Sequence, residues 1–128
     1  MIELNNEKTK IIINELKQQI KNIQCIYIFG SFAKGEINLK SDIDIAVLAK
    51  SKIANNQKWE MAQDLAVKLK RDVDLVELRY TTTVLAMQVI KNGIKIYCAD
   101  TKECTIFEDF IFSEYIMRKD ILNDKLSA

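Results

Sequence analysis

The sequence predicts an α/β fold, a small and largely buried sheet set among amphipathic helices. Two observations predict it. Short apolar runs of strand length alternate with longer stretches of helical period. Breakers are scarce: proline is absent and glycine occurs only at Gly30, Gly35 and Gly93, which leaves no room for linkers or low-complexity segments. At 128 residues and 48% hydrophobic, the chain reads as one domain, 1–128, able to bury a core without disulfides or structural metal.

From Asn6 to Asn22, Ile12, Leu16 and Ile20 recur four apart with Ile13 alongside, Asn5 or Asn6 can cap, and Glu7 lies in the first turn. This is the pattern of an amphipathic helix. Cys25 to Phe29 is a continuous apolar run closed by Gly30-Ser31, a buried strand entering a tight turn. Asp42 to Leu48 alternates, with Ile43, Ile45 and Val47 on one face and Asp42, Asp44 and Ala46 on the other, as in a second strand. A helix is expected over Asn55–Lys70 with Trp59, Ala62, Ala66 and Leu69 on its buried stripe, then a strand over Val73–Leu78. Thr81–Asn92 reads as a helix ended by Gly93 in a left-handed cap. Ile94–Cys98 reads as a fourth strand and Thr105–Leu126 as a last helix.

Composition excludes several chemistries. Histidine is absent, which removes Ser-His-Asp and Cys-His catalysis, imidazole acid–base steps and histidine metal sites. A net charge of +1 gives no basic footprint, so direct binding to nucleic acid is not expected. Cys25, Cys98 and Cys104 have no metal-ligand spacing and are expected as free thiols, Cys25 and Cys98 acting as small buried hydrophobes. That thiol usage, with no signal-like apolar segment and no membrane-length run, predicts a cytoplasmic protein.

The stretch that carries chemistry is Gly30-Ser31, ten residues, then Asp42-x-Asp44, with Asp74 following inside Val73-Asp74-Leu75. Residues two apart on a strand leave the same face with Cα atoms roughly 7 Å apart. Two carboxylates held that way repel and lose hydration unless a cation joins them. Mg²⁺ takes oxygen ligands of this kind, and two ions about 4 Å apart can serve the attacking and leaving oxygens of a phosphoryl displacement. Asp74 is turned away from the core by Val73 and Leu75; beside the second strand it would be a third ligand and a general base. Asp72 shares its parity but stands at the strand's mouth and is expected in solvent or in a salt bridge. Gly30-Ser31 offers backbone N–H groups and a hydroxyl to a phosphate. Lys34 and Lys40 in the following loop are candidates to neutralise a triphosphate, or else plain surface lysines.

This set of residues resembles the signature of the DNA polymerase beta-type nucleotidyltransferase superfamily, and the short chain resembles its minimal, antitoxin branch. The resemblance implies a small mixed sheet with flanking helices, the polymerase beta-like core. It implies that Gly30, Ser31, Lys40 and Ser41 bind the nucleotide and that Asp42, Asp44 and Asp74 are catalytic and bind two Mg²⁺ ions, with ATP as co-substrate. It further implies transfer of AMP, with release of pyrophosphate, to a tyrosine of a partner HEPN-type RNase toxin. A small-molecule nucleotidyltransferase of the aminoglycoside type, or a nucleotide-binding antitoxin acting by contact alone, are the alternatives. On the last helix Ile106, Phe110 and Met117 follow one stripe, and Phe112, Tyr115 and Ile116 widen it beyond one core face; the excess either closes the back of the small sheet or docks the acceptor protein.

Overall fold

The computed structural model describes residues 6–35 and 41–127, with side chains as far as Arg118. The elements run α1 (Asn6–Gln19), β1 (Ile23–Phe29), α2 (Ser31–Lys34), β2 (Ile43–Ala49), α3 (Asn55–Leu69), β3 (Val73–Glu77), α4 (Thr83–Asn92), β4 (Ile94–Cys98) and α5 (Thr101–Ser127). This is the predicted order. α5 starts four residues earlier than its apolar pattern, because Asp100 caps it: the Lys102 and Glu103 amides donate to its Oδ1 at 3.0 and 3.4 Å.

The strands form a sheet in the order β3-β2-β1-β4. β1 is antiparallel to both β2 and β4, while β2 and β3 are parallel, so the sheet is mixed. A parallel pair needs a crossover, and α3 provides it. Alternation then splits the apolar residues between two faces. Ile26, Ile28, Ile43, Ile45, Val47 and Leu75 pack with Ile12 and Leu16 of α1 and with Met61, Leu65 and Leu69 of α3. Tyr27, Ala46 and Leu48 point the other way, toward Ala86 and Val89 of α4 and Phe107 and Ile111 of α5.

Three expectations need correction. The buried stripe of α3 is Met61, Ala62, Leu65 and Leu69, and Trp59 is 65% exposed. The helix is turned by about one position so that two long aliphatic side chains, rather than Trp59 and Ala66, meet the sheet. Gly93 is not left-handed: φ is −77° and ψ 168°. Glycine is needed there because a Cβ would collide with the carbonyl oxygens of Val89 and Ile28. The cysteines are not three free thiols. Cys25 and Cys104 form a disulfide and Cys98 alone is free. The sequence hid this because Cys25 and Cys98 meet as register partners of β1 and β4, while the first turn of α5 brings in Cys104. No described helix is long and apolar enough to cross a membrane.

Candidate active site

The carboxylates stand where β2 and β3 begin and β1 ends. Ala46 and Leu48 lie beneath the helices of the second face, and the same alternation carried toward the start of β2 puts Asp44 and then Asp42 on that face. Register pairs Asp44 with Asp74 across the parallel ladder, and Phe29, the last residue of β1, with Asp44. Asp42 and Asp74 are exposed, and Asp44 between them is part-buried. The neighbourhood of β2 and β3, on which Asp74's part depended, is therefore present.

Electrostatics single out Asp44. Its pKa is raised from 3.8 to about 6, first by burial, then by the charges of Asp74 and Asp42. Among the described residues, no ion pair or hydrogen bond compensates these three carboxylates. Carboxylate oxygens coupled in this way without a cationic side chain are donors of the kind that hard divalent ions such as Mg²⁺ take.

Gly30 adjoins this cluster. Its φ of 69° and ψ of −143° are open only to glycine, and a Cβ there would run into the Asp44 carboxylate. The chain therefore turns tightly against Asp44 and starts α2 at once. Lys34 N–H bonds back to the Gly30 carbonyl at 3.1 Å, while the amides of Ser31, Phe32 and Ala33 head the turn ahead of that first bond. The dipole of a four-residue turn is small, so any pull on an anion comes from these amides and the Ser31 hydroxyl.

Ser41 lies just before Asp42, and its carbonyl accepts from Arg71 Nη1 at 2.9 Å. The Arg71 guanidinium also stands 5.3 Å from the centre of the Phe32 ring. One side chain thus ties the turn after β1 to the start of β2. Sequence reasoning missed Arg71; an arginine at a strand mouth carries no signal of its own. Lys34 is exposed and lines a hollow of roughly 310 Å³ with Phe29, Gly30, Leu85, Gln88 and Asn92. Lys40 lies outside the described residues. Asp72 is exposed as expected, and its carbonyl accepts the Ile43 amide at 2.9 Å, fixing the mouth of the β2–β3 pair.

With this geometry in place, comparison with known proteins decides the family. Residues 10–102 match the family model described as Polymerase beta, Nucleotidyltransferase. The chain belongs to the polymerase beta nucleotidyltransferase family. Within that family it is 46% identical over 97 residues to the protein adenylyltransferase MntA of Shewanella oneidensis, a match spanning 76% of this chain and 68% of that protein. A toxin–antitoxin crystal structure with AMP-PNP superposes with a TM-score of 0.81 at 39% identity, over 95% of this chain and 99% of the other. The MNT antitoxin in complex with the tri-AMPylated Shewanella oneidensis HEPN toxin gives 0.76 at 36% identity, over 94% and 97%. Both are similar to this polymerase beta-type chain over nearly all its length, so α5 is shared as well as the sheet.

Proposed function

We propose that this protein is an adenylyltransferase antitoxin: it transfers AMP from ATP to a tyrosine hydroxyl of a HEPN-type RNase partner and releases pyrophosphate. The observation that carries the reading is the Asp44–Asp74 register pair set against the Gly30 turn. It supports the reading by setting the Asp44 carboxylate against the Gly30 backbone, beside Asp74. The similarity to MntA and to an antitoxin structure holding an AMPylated HEPN toxin supports the choice of acceptor.

In this reading Asp42, Asp44 and Asp74 would hold two Mg²⁺ ions, which would neutralise charge building up on the triphosphate. The chain's own groups do the rest. Amides after Gly30 and the Ser31 hydroxyl hold the phosphates, and Ser41, fixed by Arg71, borders the same space with Lys40 beside it in sequence. Asp74, exposed at the edge of the cluster, takes the proton of the acceptor hydroxyl. The hydroxyl oxygen bonds to the α-phosphorus as the bond to the bridging oxygen breaks, and pyrophosphate leaves. A cytoplasmic location goes with this reading, since ATP and an RNase partner are met there.

The acceptor side is formed by α4 and α5. The hollow beside Gly30 shares its lining residues Gln88 and Asn92 with a second one lined by Val84, Met87, Lys91 and Tyr115, so the two hollows adjoin along α4 between the phosphate turn and α5. A larger groove of roughly 700 Å³ along Arg79, Tyr80, Ile106 and Phe110 starts past the end of β3, away from the carboxylates.

The test is to incubate the purified protein with ATP, Mg²⁺ and the HEPN protein encoded beside it, then weigh the intact partner and map the modified residue. Added AMP on a tyrosine supports the reading. An unmodified partner whose RNase is nevertheless silenced would mean inhibition by contact, and the transfer reading would fall.

A further inference from the structure

A second cluster of ligand atoms lies away from the carboxylates, at the other end of β1. The sulfurs of Cys25 on β1, Cys98 on β4 and Cys104 on α5 all lie within 4.8 Å of one another. Cys25 and Cys104, joined as a disulfide, are fully buried; Cys98 is half-buried, with its Sγ 2.8 Å from that of Cys104. Backbone bonds hold all three elements here: Ala99 N–H donates to the Gln24 carbonyl at 2.8 Å, and Cys104 N–H to the Asp100 carbonyl at 3.1 Å.

We propose that, once the disulfide is reduced, Cys25, Cys98 and Cys104 form a three-coordinate thiolate site for one Cu(I) ion. A metal–sulfur bond of about 2.3 Å sets the sulfurs of a trigonal site about 4 Å apart, within the spread the fold imposes. Thiolates select soft ions, Cu(I) and zinc above all. Zinc wants a fourth ligand, and the neighbouring polar atom is a poor one: the Gln24 carbonyl, 3.5 Å from Cys104 Sγ, already accepts the Ala99 amide. Histidine is not available anywhere in the chain. Three soft donors and no fourth favour Cu(I). Half-buried Cys98 is the route of entry.

The step balances with an external dithiol. Dithiothreitol supplies two electrons and two protons, the Cys25–Cys104 bond breaks to two thiols, and the reagent becomes its own cyclic disulfide. Binding of Cu(I) then displaces thiol protons to solvent.

The experiment uses the full chain, reduced with dithiothreitol, freed of reagent without oxygen, and titrated with Cu(I) against the chromophoric chelator bicinchoninate. One Cu(I) per chain is expected to be withdrawn from the chelator. Cys98→Ser, at a half-buried position and checked by thermal melting, should weaken uptake by more than the ~10–100-fold that loss of an outer-shell partner costs. Cys104→Ser should do the same. No uptake by the reduced protein overturns the proposal, and the trio is then a thiol–disulfide pair with a spectator. Uptake by Cys98→Ser equal to that of the unaltered protein overturns it too, since two sulfurs would then suffice.

Discussion

Asp44 and Asp74 are register partners on adjacent parallel strands, so two carboxylates that the sequence separates by thirty positions leave the sheet side by side. Asp42 joins them from the same face of β2, two residues from Asp44. Their roles differ in the expected loss. In the proposed mechanism Asp42→Asn or Asp44→Asn removes a metal ligand and should lower transfer by about 10³-fold or more, since several kcal/mol of charge stabilisation go with it. Asp74→Asn would also remove the proposed base and should cost about 10²–10⁴-fold. ATP affinity should fall less at Asp74 than at the metal pair. Labelled ATP turnover, measured beside thermal melts, checks this; full activity in a folded Asp42→Asn, Asp44→Asn double variant would end the enzymatic reading.

The raised pKa of Asp44 gives the metal-free protein a pH signature. Folding lifts this carboxyl from 3.8 to about 6, so between those values the folded state holds more protons than the unfolded one. Stability contributed here therefore falls as pH rises through that window and levels off above it. In chelator, the melting temperature should be higher at pH 5 than at pH 7.5 by this contribution. Asp44→Asn should remove that part of the difference and raise the melting temperature at pH 7.5. Adding Mg²⁺ should stabilise the unaltered protein at pH 7.5 more than at pH 5, because protons and the ion compete for the same oxygens. A melting profile unchanged by Asp44→Asn would contradict the assignment.

Gly30 is constrained twice, by its positive φ and by Asp44 in the space a side chain would take. Gly30→Val should therefore damage the carboxylate cluster along with the proposed phosphate turn. ATP binding by calorimetry should be lost even with all three aspartates present. Ser31→Ala, which keeps every amide, should weaken binding by only about 0.5–1.5 kcal/mol, the usual worth of one hydrogen bond. Gly30→Val binding ATP as the unaltered protein does would show that the turn is not the phosphate site.

Much of this site was legible because it is local. Gly30-Ser31 and Asp42-x-Asp44 each lie on a single turn or strand, and parity alone assigned the face of Asp42, Asp44 and Asp74. What escaped depends on tertiary neighbours. The β3-β2-β1-β4 order turns Asp74 from an isolated residue into a partner of Asp44, and no periodicity states that order. The meeting of Cys25, Cys98 and Cys104 arises from an antiparallel register and a helix start, neither visible as spacing. The rotation of α3 away from Trp59 was decided by which side chains fill the core best, a packing question that hydrophobicity alone cannot rank.

Arg71 was also invisible in the sequence, and its contacts make a prediction. It holds the Ser41 carbonyl and stacks near Phe32, bracing both ends of the segment between α2 and β2. Arg71→Lys keeps the charge but not the planar fork, so it should not restore the brace. Both Arg71→Lys and Arg71→Leu should raise the KM for ATP more than they lower kcat, because the loss is in positioning the nucleotide segment. An unchanged KM in folded Arg71→Leu would assign the contact to stability alone.

The partner surface is the remaining question, and α5 narrows it. At about 100° per residue, the apolar side chains described on this helix fall into three groups. Cys104, Phe107 and Ile111 face the sheet and are buried. Ile106, Phe110 and Met117, the stripe most regular in sequence, lie on one flank and are 55%, 58% and 60% exposed. Phe112 and Ile116 lie on the other flank, 51% and 40% exposed, Ile116 following Tyr115 in sequence. Both flanks are therefore free of the core, and a charge there should not unfold the protein. They differ in what they adjoin. The Phe110 flank borders the groove with Arg79 and Tyr80, beyond the far end of β3. Tyr115 instead lines a hollow that shares Gln88 and Asn92 with the one beside Gly30. In the proposed reading the acceptor is held on the Phe112 flank, beside those hollows, and transfer depends on such positioning. Phe112→Asp and Ile116→Asp should thus reduce AMP addition to the partner at least about tenfold, the effect of ~1.4 kcal/mol, with ATP affinity unchanged. Phe110→Asp should weaken co-purification of the partner less than Phe112→Asp does. The reverse ranking, measured by co-purification and mass spectrometry of the partner, would move the docking surface to the Arg79–Tyr80 groove.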